Sequence, residues 1–116
     1  MKIQLKRAYD SPSKSDGTRI LVDRLWPRGL TKAIARIDLW PKEIVPSAEL
    51  RKWFHRGDGD WKEFCRRYRT ELKNHQDELE RLRSKIRQHP VTLVFGARNR
   101  EQNHAVILKE ILERGF

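Results

Sequence analysis

The sequence predicts an α/β fold: one small domain over residues 1–116, with a central, at least partly parallel sheet packed by helices, one of them long and amphipathic. Two short apolar runs, Ile20–Val22 and Val91–Phe95, are bounded by turn-forming residues, which is typical of strands buried on both faces. A long stretch with helical periodicity separates these runs. Strands joined through long helices favour parallel pairing.

The first third of the chain predicts two strands. Apolar and polar residues alternate from Lys2 to Tyr9, which indicates a half-buried strand. The turn formers of residues 10–17 predict a loop. A second strand follows at Thr18–Asp23, and it ends before Pro27, where the chain can no longer donate to a ladder.

The next segment predicts two short helices. Residues 31–40 allow a short helix that is capped by Thr31 and has an inner face formed by Ala33, Ile34 and Ile37. Pro41 and Pro46 predict an extended connection. A further short helix is expected from Ser47 through Phe54.

The clearest element is the long helix. Asp60 and Glu63 form a start that resembles a capping box, and Pro90 stops the helix after about His89. Its apolar stripe consists of Trp61, Phe64, Cys65, Tyr68, Leu72, Leu79, Leu82 and Ile86. After the strand at Val91–Phe95, a closing helix is expected over Glu101–Arg114, followed by Gly115 as its C-terminal stop.

Composition narrows the classes of function. The formal net charge is +10, which favours polyanions or small phosphorylated ligands through long-range attraction. The single cysteine, Cys65, excludes an intramolecular disulfide and a cysteine-rich zinc site, and its place on the apolar stripe predicts core packing. We expect a cytoplasmic protein that uses no membrane, metal or cofactor, because the sequence has no secretory signal, long apolar run or nucleotide motif.

Polar side chains follow two of the predicted buried strands. In a parallel α/β sheet, ligands bind beyond the carboxyl ends of the strands, where residues 23–29 and 97–104 are expected to meet. Candidate ligand-binding residues there are Arg24, Trp26, Arg28, Arg98 and Asn103, and candidate catalytic residues for orientation or proton transfer are Asp23 and His104. The alternative is that Asp23 pairs with Arg24 within the fold and Trp26 plugs the end of the sheet.

A second functional hypothesis concerns the long helix. One flank of its apolar stripe carries basic residues that could follow a nucleic-acid backbone: Lys62, Arg66, Arg69 and Lys73. A solvated helix face that mixes basic and acidic residues has the same pattern.

The segment Asp23–Gly29, which reads Asp-Arg-Leu-Trp-Pro-Arg-Gly, resembles the domain-of-unknown-function family 488, in its YeaO-like branch. The resemblance covers nearly the whole chain, and it continues through Leu50–Phe54, Arg67-Tyr68, Val91–Leu93 and Asn103–Ala105. It implies a small α/β fold in a bacterial family and brings no substrate, cofactor or catalytic residue.

Three functions are therefore open from the sequence. The leading hypothesis is a pocket that binds a small anionic ligand, phosphorylated or nucleotide-like, between Arg28 and His104. The alternatives are a nucleic-acid-binding protein that uses the basic helix edge, and a structural or regulatory module without catalysis. The sequence does not decide whether the protein is an enzyme, and it does not indicate an oligomeric state.

Overall fold

A computed structural model describes residues 3–57 and 59–116. Within them, strands β1 (Ile3–Arg7), β2 (Thr18–Leu21) and β3 (Val91–Phe95) form one sheet with the order β1-β3-β2, and both pairings are parallel. The predicted α/β fold with a parallel sheet is confirmed. The predicted start of the first strand, Lys2, lies outside the described residues.

The central strand explains the continuous apolar run. All five residues of β3 are buried, because β1 and β2 cover its edges and helices or loops cover its two faces. Leu93 is in register with Leu5 on one side and Ile20 on the other. At the outer edge of β2, Leu39 forms a parallel bridge to Ile20, so the chain after α1 protects that edge.

Helix α1 (Lys32–Ala35) is a single turn capped by the Thr31 side chain, as predicted. Its expected inner face is wrong for two of three residues: Ala33 is exposed and 58% of Ile34 is exposed, whereas Ile37, beyond the helix, packs partly buried against the cluster of Leu21 and Val94. Four residues are too few for periodicity to define a face, and the left-handed Arg36 (φ 50°) ends the helix at once.

The segment that contains Pro41 and Pro46 includes a 3-10 turn, Lys42–Ile44, and it leads to helix α2 (Ala48–His55). The Oγ atom of Ser47 accepts a hydrogen bond from the backbone N–H of Leu50 and caps α2.

The long amphipathic helix is confirmed over residues 61–88, with one local departure. It consists of α3 (Trp61–Leu72), a 3-10 turn (Lys73–His75) and α4 (Gln76–Gln88). Asp60 caps its start by accepting from the N–H of Glu63. The turn falls where residues 73–75 are all polar, and the buried stripe resumes beyond it at Leu79.

Helix α5 (His104–Arg114) closes the fold and ends at Gly115. It begins three residues later than predicted, because the side chain of Asn103 caps it by accepting from the N–H of Val106. Its inner face is buried as expected: Ala105, Leu108, Ile111 and Leu112.

The core lies on both faces of the sheet. The larger cluster joins α2–α5 to the face that carries Ile20, Leu93 and Phe95. The smaller one covers Leu21 and Val94 and includes Trp26 and Trp40 among its partly buried members. In the described part of the chain, no helix has the length and apolar character needed to cross a membrane.

Candidate functional site

A cavity of about 680 Å³ lies beyond the carboxyl ends of the strands. Its size is within the range of small-molecule sites, roughly 300–1,000 Å³. All the residues predicted for the pocket line it: Asp23, Arg24, Trp26, Arg28, Arg98, Asn103 and His104. The loops meet here because the three strands are parallel and therefore end at the same edge of the sheet.

Asp23 lies just after β2, and its side chain reaches the loop that follows β3. Its Oδ2 atom accepts a hydrogen bond of 2.8 Å from the backbone N–H of Gly96. A Cβ atom at position 96 would lie 2.8 Å from that oxygen, so glycine is needed for this close approach. Asp23 therefore bonds to the neighbouring loop, and its side chain makes no hydrogen bond or ion pair with Arg24, contrary to the bracing alternative.

His104 is the first residue of α5, and its side chain faces Asp23. The Nε2 atom of His104 lies 2.9 Å from Oδ1 of Asp23. The two atoms are close enough for an ion pair when the imidazole is protonated, but they are not aligned as a hydrogen bond, and neither has another partner in the described part of the chain. The side chains are 15% and 20% exposed, so both groups have unmet hydrogen-bonding capacity at the cavity.

Asn103 is almost fully buried, and both ends of its amide are occupied. Its oxygen caps α5 through the N–H of Val106, and its Nδ2 donates to the carbonyl of Asn99 at 2.8 Å. Asn103 therefore holds the loop that carries Arg98 and places His104 at the cavity, rather than offering a free polar group to a ligand.

Trp26 is held in place by its own loop and by the second core cluster. Its Nε1 donates to the carbonyl of Leu30 at 2.7 Å, and its ring meets that of Trp40 edge-on at 5.6 Å. Trp40 in turn donates to the carbonyl of Asp23 at 2.7 Å. Trp26 thus serves both roles considered from the sequence, since it packs against the sheet and forms a wall of the cavity.

Among the described residues, four arginine side chains line the cavity against one acidic residue, Asp23. They are Arg24, Arg28, Arg51 and Arg98. Among the residues that the structure describes, none of these guanidinium groups has an ion-pair or hydrogen-bond partner. The loop of Arg28 is anchored through its backbone, because its carbonyl accepts from the Tyr9 hydroxyl at 2.9 Å.

Sequence reasoning missed the wall that α2 contributes. Arg51, Phe54 and His55 line the cavity, and their spacing of three and four residues places them on one side of the helix. The spacing was visible, but nothing in it indicated that α2 would pack over the carboxyl edge of the sheet.

The available chemistry is anion binding and proton transfer. The cavity lining within residues 3–57 and 59–116 contains no serine, threonine or cysteine, so it offers none of these covalent nucleophiles. The same residues contain no cluster of three or more His, Cys, Asp or Glu side chains that could hold a metal ion. Asp23 and His104 lie 2.9 Å apart at the cavity, and imidazole is the side chain that most readily exchanges a proton near neutral pH.

The basic helix edge is largely engaged in contacts with acidic or aromatic groups. Arg66 donates to Glu63 at 2.6 and 2.8 Å, and Arg69 lies 3.2 Å from Glu110. Lys73 lies near the ring of Phe116. Of the four candidate residues, Lys62 alone has no contact of these kinds in the described part of the structure. The edge is thus closer to a charge-mixed solvated face than to a free basic strip.

Comparisons with known proteins agree with the resemblance predicted from the sequence. A family model described as "Inactive DUF488-N3 subclade" matches residues 2–116. The uncharacterized protein YeaO of Escherichia coli is 49% identical, with 97% of each chain covered. The uncharacterized proteins Mb3100c of Mycobacterium bovis and Rv3073c of Mycobacterium tuberculosis are each 36% identical, over 96% of this chain and 93% of theirs. No solved structure gives a significant match. The chain belongs to the DUF488-N3 family of uncharacterised bacterial proteins, in the subclade described as inactive.

Proposed function

We propose that this protein binds a small anionic ligand, phosphorylated or nucleotide-like, in the cavity at the carboxyl edge of the sheet. One observation carries the proposal: four arginines line the cavity, and none of their guanidinium groups has a partner among the described residues. Arginine is always charged and its planar fork matches phosphate and carboxylate oxygens, so unpaired guanidinium groups around one cavity favour an anion there.

The electrostatic setting supports the same ligand class. The whole chain carries a formal net charge of +10, and the cavity lining includes Asp23 as its acidic residue against the four arginines. A concave site with one dominant sign of charge concentrates oppositely charged ligands. The carboxylate of Asp23 accepts a hydrogen bond from the backbone N–H of Gly96, so part of its charge is already compensated.

In this proposal the pocket binds without turnover. Asp23 and His104 orient the ligand, and the description of the matching family model as inactive supports a binding role over catalysis. Replacing His104 with Asn is therefore expected to change affinity, whereas an enzyme would lose turnover and retain affinity.

The nucleic-acid hypothesis has weaker support. Arg66 and Arg69 are already paired with the carboxylates of Glu63 and Glu110, which offset part of the positive charge of that edge. The bracing role without any ligand leaves the buried, unpaired Nε atom of Arg51 unexplained. We also propose a cytoplasmic location, which cell fractionation can check, and the lone Cys65 is compatible with a reducing compartment.

The test is a titration of the ¹⁵N-labelled protein with ribose 5-phosphate at constant ionic strength, followed by NMR. We expect the largest shifts around Asp23, Gly96 and His104, and a double substitution, Arg28→Ala with Arg98→Ala, should weaken binding by at least about tenfold, since hydrogen bonds to charged groups are each worth roughly 1.5–3 kcal/mol.

The matched control removes two arginines elsewhere, with Arg66→Ala and Arg69→Ala, and it should leave the affinity unchanged. The proposal is wrong if the control variant loses binding and the pocket variant does not. It is also wrong if no phosphorylated probe binds. If only the control variant loses binding, a duplex DNA probe should bind the protein with a steep salt dependence, as expected for phosphate contacts.

A further inference from the structure

One wall of the cavity is apolar, and the binding of an anion alone does not explain it. Besides its arginines, it is lined by large apolar side chains: Leu25, Trp26, Pro27, Pro46, Phe54 and Phe64. A free inorganic anion needs charge and hydrogen bonds, and it gains nothing from aromatic surface. Sites for organic ligands combine mostly apolar walls with a few placed polar groups, as here.

Helix α2 joins the two kinds of surface on one face. Arg51 and Phe54 lie three residues apart and both line the cavity. Phe54 is held by stacking on the buried Phe64, with ring centroids 4.4 Å apart and planes at 29°. This packing restricts the rotamers of Phe54 before any ligand arrives, which lowers the entropic cost of binding a flat ring.

Arg51 differs from the other three arginines in its burial. Its Nε atom is inaccessible to solvent and has no hydrogen-bond partner within the described residues. Arg24, Arg28 and Arg98 are exposed at the rim. A buried donor without a partner costs free energy that a bound acceptor would recover. This places the best-desolvated cationic donor of the cavity beside its stacked aromatic surface.

We propose that the ligand is an aromatic phosphate, a planar ring system attached to a phosphate group as in a nucleoside monophosphate. Arg51 contacts the anionic group and Phe54 contacts the ring. This inference rests on the proposed anion-binding function; it narrows the ligand from any small anion to a phosphate that carries a ring, and it adds Arg51 and Phe54 as recognition residues.

The test compares three probes on the full chain by isothermal titration calorimetry: AMP, ribose 5-phosphate, which has the phosphate without the ring, and adenosine, which has the ring without the phosphate. AMP should bind at least about tenfold more tightly than ribose 5-phosphate, because stacking on an aromatic side chain contributes on that order. Adenosine should bind more weakly than AMP by a similar factor.

Variants assign the two contacts. Arg51→Gln should weaken the affinity for AMP by about tenfold or more. Lys52→Ala, a change at an exposed position on the same helix, should leave the affinity for AMP unchanged. Phe54→Leu keeps an apolar side chain, and it should reduce the preference for AMP over ribose 5-phosphate. Thermal melting of each variant shows whether it is folded before its affinity is compared. Arg51→Lys keeps the charge without the planar fork, and it provides a second variant at that position.

Failure of this inference can be separated from failure of the proposed function. If ribose 5-phosphate binds through Arg28 and Arg98 but AMP binds no more tightly, the pocket takes anions and the aromatic-phosphate inference is overturned. Equal AMP affinity for the Arg51→Gln and Lys52→Ala variants overturns the role of Arg51. If neither phosphate binds, both proposals fall.

Discussion

Asp16 offers a sharp test of what holds the sheet together at the end opposite the cavity. Asp16 is 1% exposed and lies just before β2. Its Oδ2 atom accepts from Arg19 at 2.7 Å and from the backbone N–H of Ser13 at 3.0 Å, and its Oδ1 lies 2.9 Å from the Nζ of Lys6. The substitution Asp16→Asn keeps the size of the side chain and removes its charge.

The expected cost follows from the burial of Arg19. The side chain of Arg19 is 4% exposed, and Asp16 is its carboxylate partner, so the substitution leaves a buried guanidinium without a counter-charge. Breaking a buried ion pair in this way costs about 3–5 kcal/mol of unfolding free energy. The total free energy of unfolding of domains of this size is about 5–15 kcal/mol. The corresponding fall in Tm is on the order of 10–20 °C.

The pH dependence supplies an independent check. Burial alone would raise the pKa of Asp16, but the hydrogen bonds from Lys6, the Ser13 N–H and Arg19 outweigh it and lower the pKa below 3.8. A carboxyl group with a lowered folded-state pKa contributes stability that is present above the unfolded value and is lost as the pH falls through the folded value. The gap between wild type and Asp16→Asn should therefore be full at pH 7 and shrink below about pH 3.8.

Urea denaturation followed by circular dichroism measures this gap. The matched control is Asp10→Asn, which removes the charge from a more exposed pair with Arg100, whose side chain is 56% exposed, and it should shift Tm by a few degrees at most. A loss below about 1 kcal/mol at pH 7 for Asp16→Asn, or a gap that persists in acid, would refute the reasoning. A single cooperative transition in these curves is also expected from the proposal that residues 1–116 form one domain.

Three further substitutions or modifications test other parts of the structure. Gly96→Ala should displace the Asp23 carboxylate, because the new Cβ would lie 2.8 Å from the oxygen that accepts from the Gly96 N–H. The free energy of unfolding in urea should fall by about 1–3 kcal/mol. Unchanged stability and unchanged NMR shifts of Asp23 would contradict this. Tyr68→Phe should lower the free energy of unfolding by about 1–3 kcal/mol, because it leaves the buried carbonyl of Ile44 without its donor. Burial raises the pKa of Tyr68, so in the wild-type protein the ultraviolet titration of Tyr68 should not occur until the protein unfolds in alkali. Burial also raises the pKa of the Cys65 thiol, so we expect slow reaction with a thiol reagent at pH 8 in the folded protein and rapid reaction in urea; equal rates would show that the thiol is accessible.

Much of the fold could be predicted because its signals are local. The buried runs Ile20–Val22 and Val91–Phe95 predicted two of the strands, and alternation predicted the third. Side-chain caps at Ser47 and Asp60 marked the starts of α2 and α3. The closing helix was predicted three residues too early, because the cap at its start, Asn103, lies in a polar segment with no apolar periodicity to locate it.

The candidate pocket was predicted for a different reason. Parallel strands bring their carboxyl ends to one edge, so placing Asp23 and His104 after two buried strands was enough to expect a shared cavity. The alternative basic edge was also visible as a pattern, but helical spacing cannot show which charges have partners. Only the packing of α3 against α5 brings Glu110 to Arg69.

The sequence alone determined the fold class, the positions of most helices and strands, the excess of positive charge and the loops that meet at the cavity. Each of these depends on neighbouring residues or on a rule common to all parallel sheets. The tertiary structure decided the strand order β1-β3-β2, the pairing of Asp23 with Gly96 and His104, and the placement of Arg51 on the cavity wall. These contacts join residues far apart in the chain. They depend on how whole elements pack, and no local pattern of side chains encodes that packing.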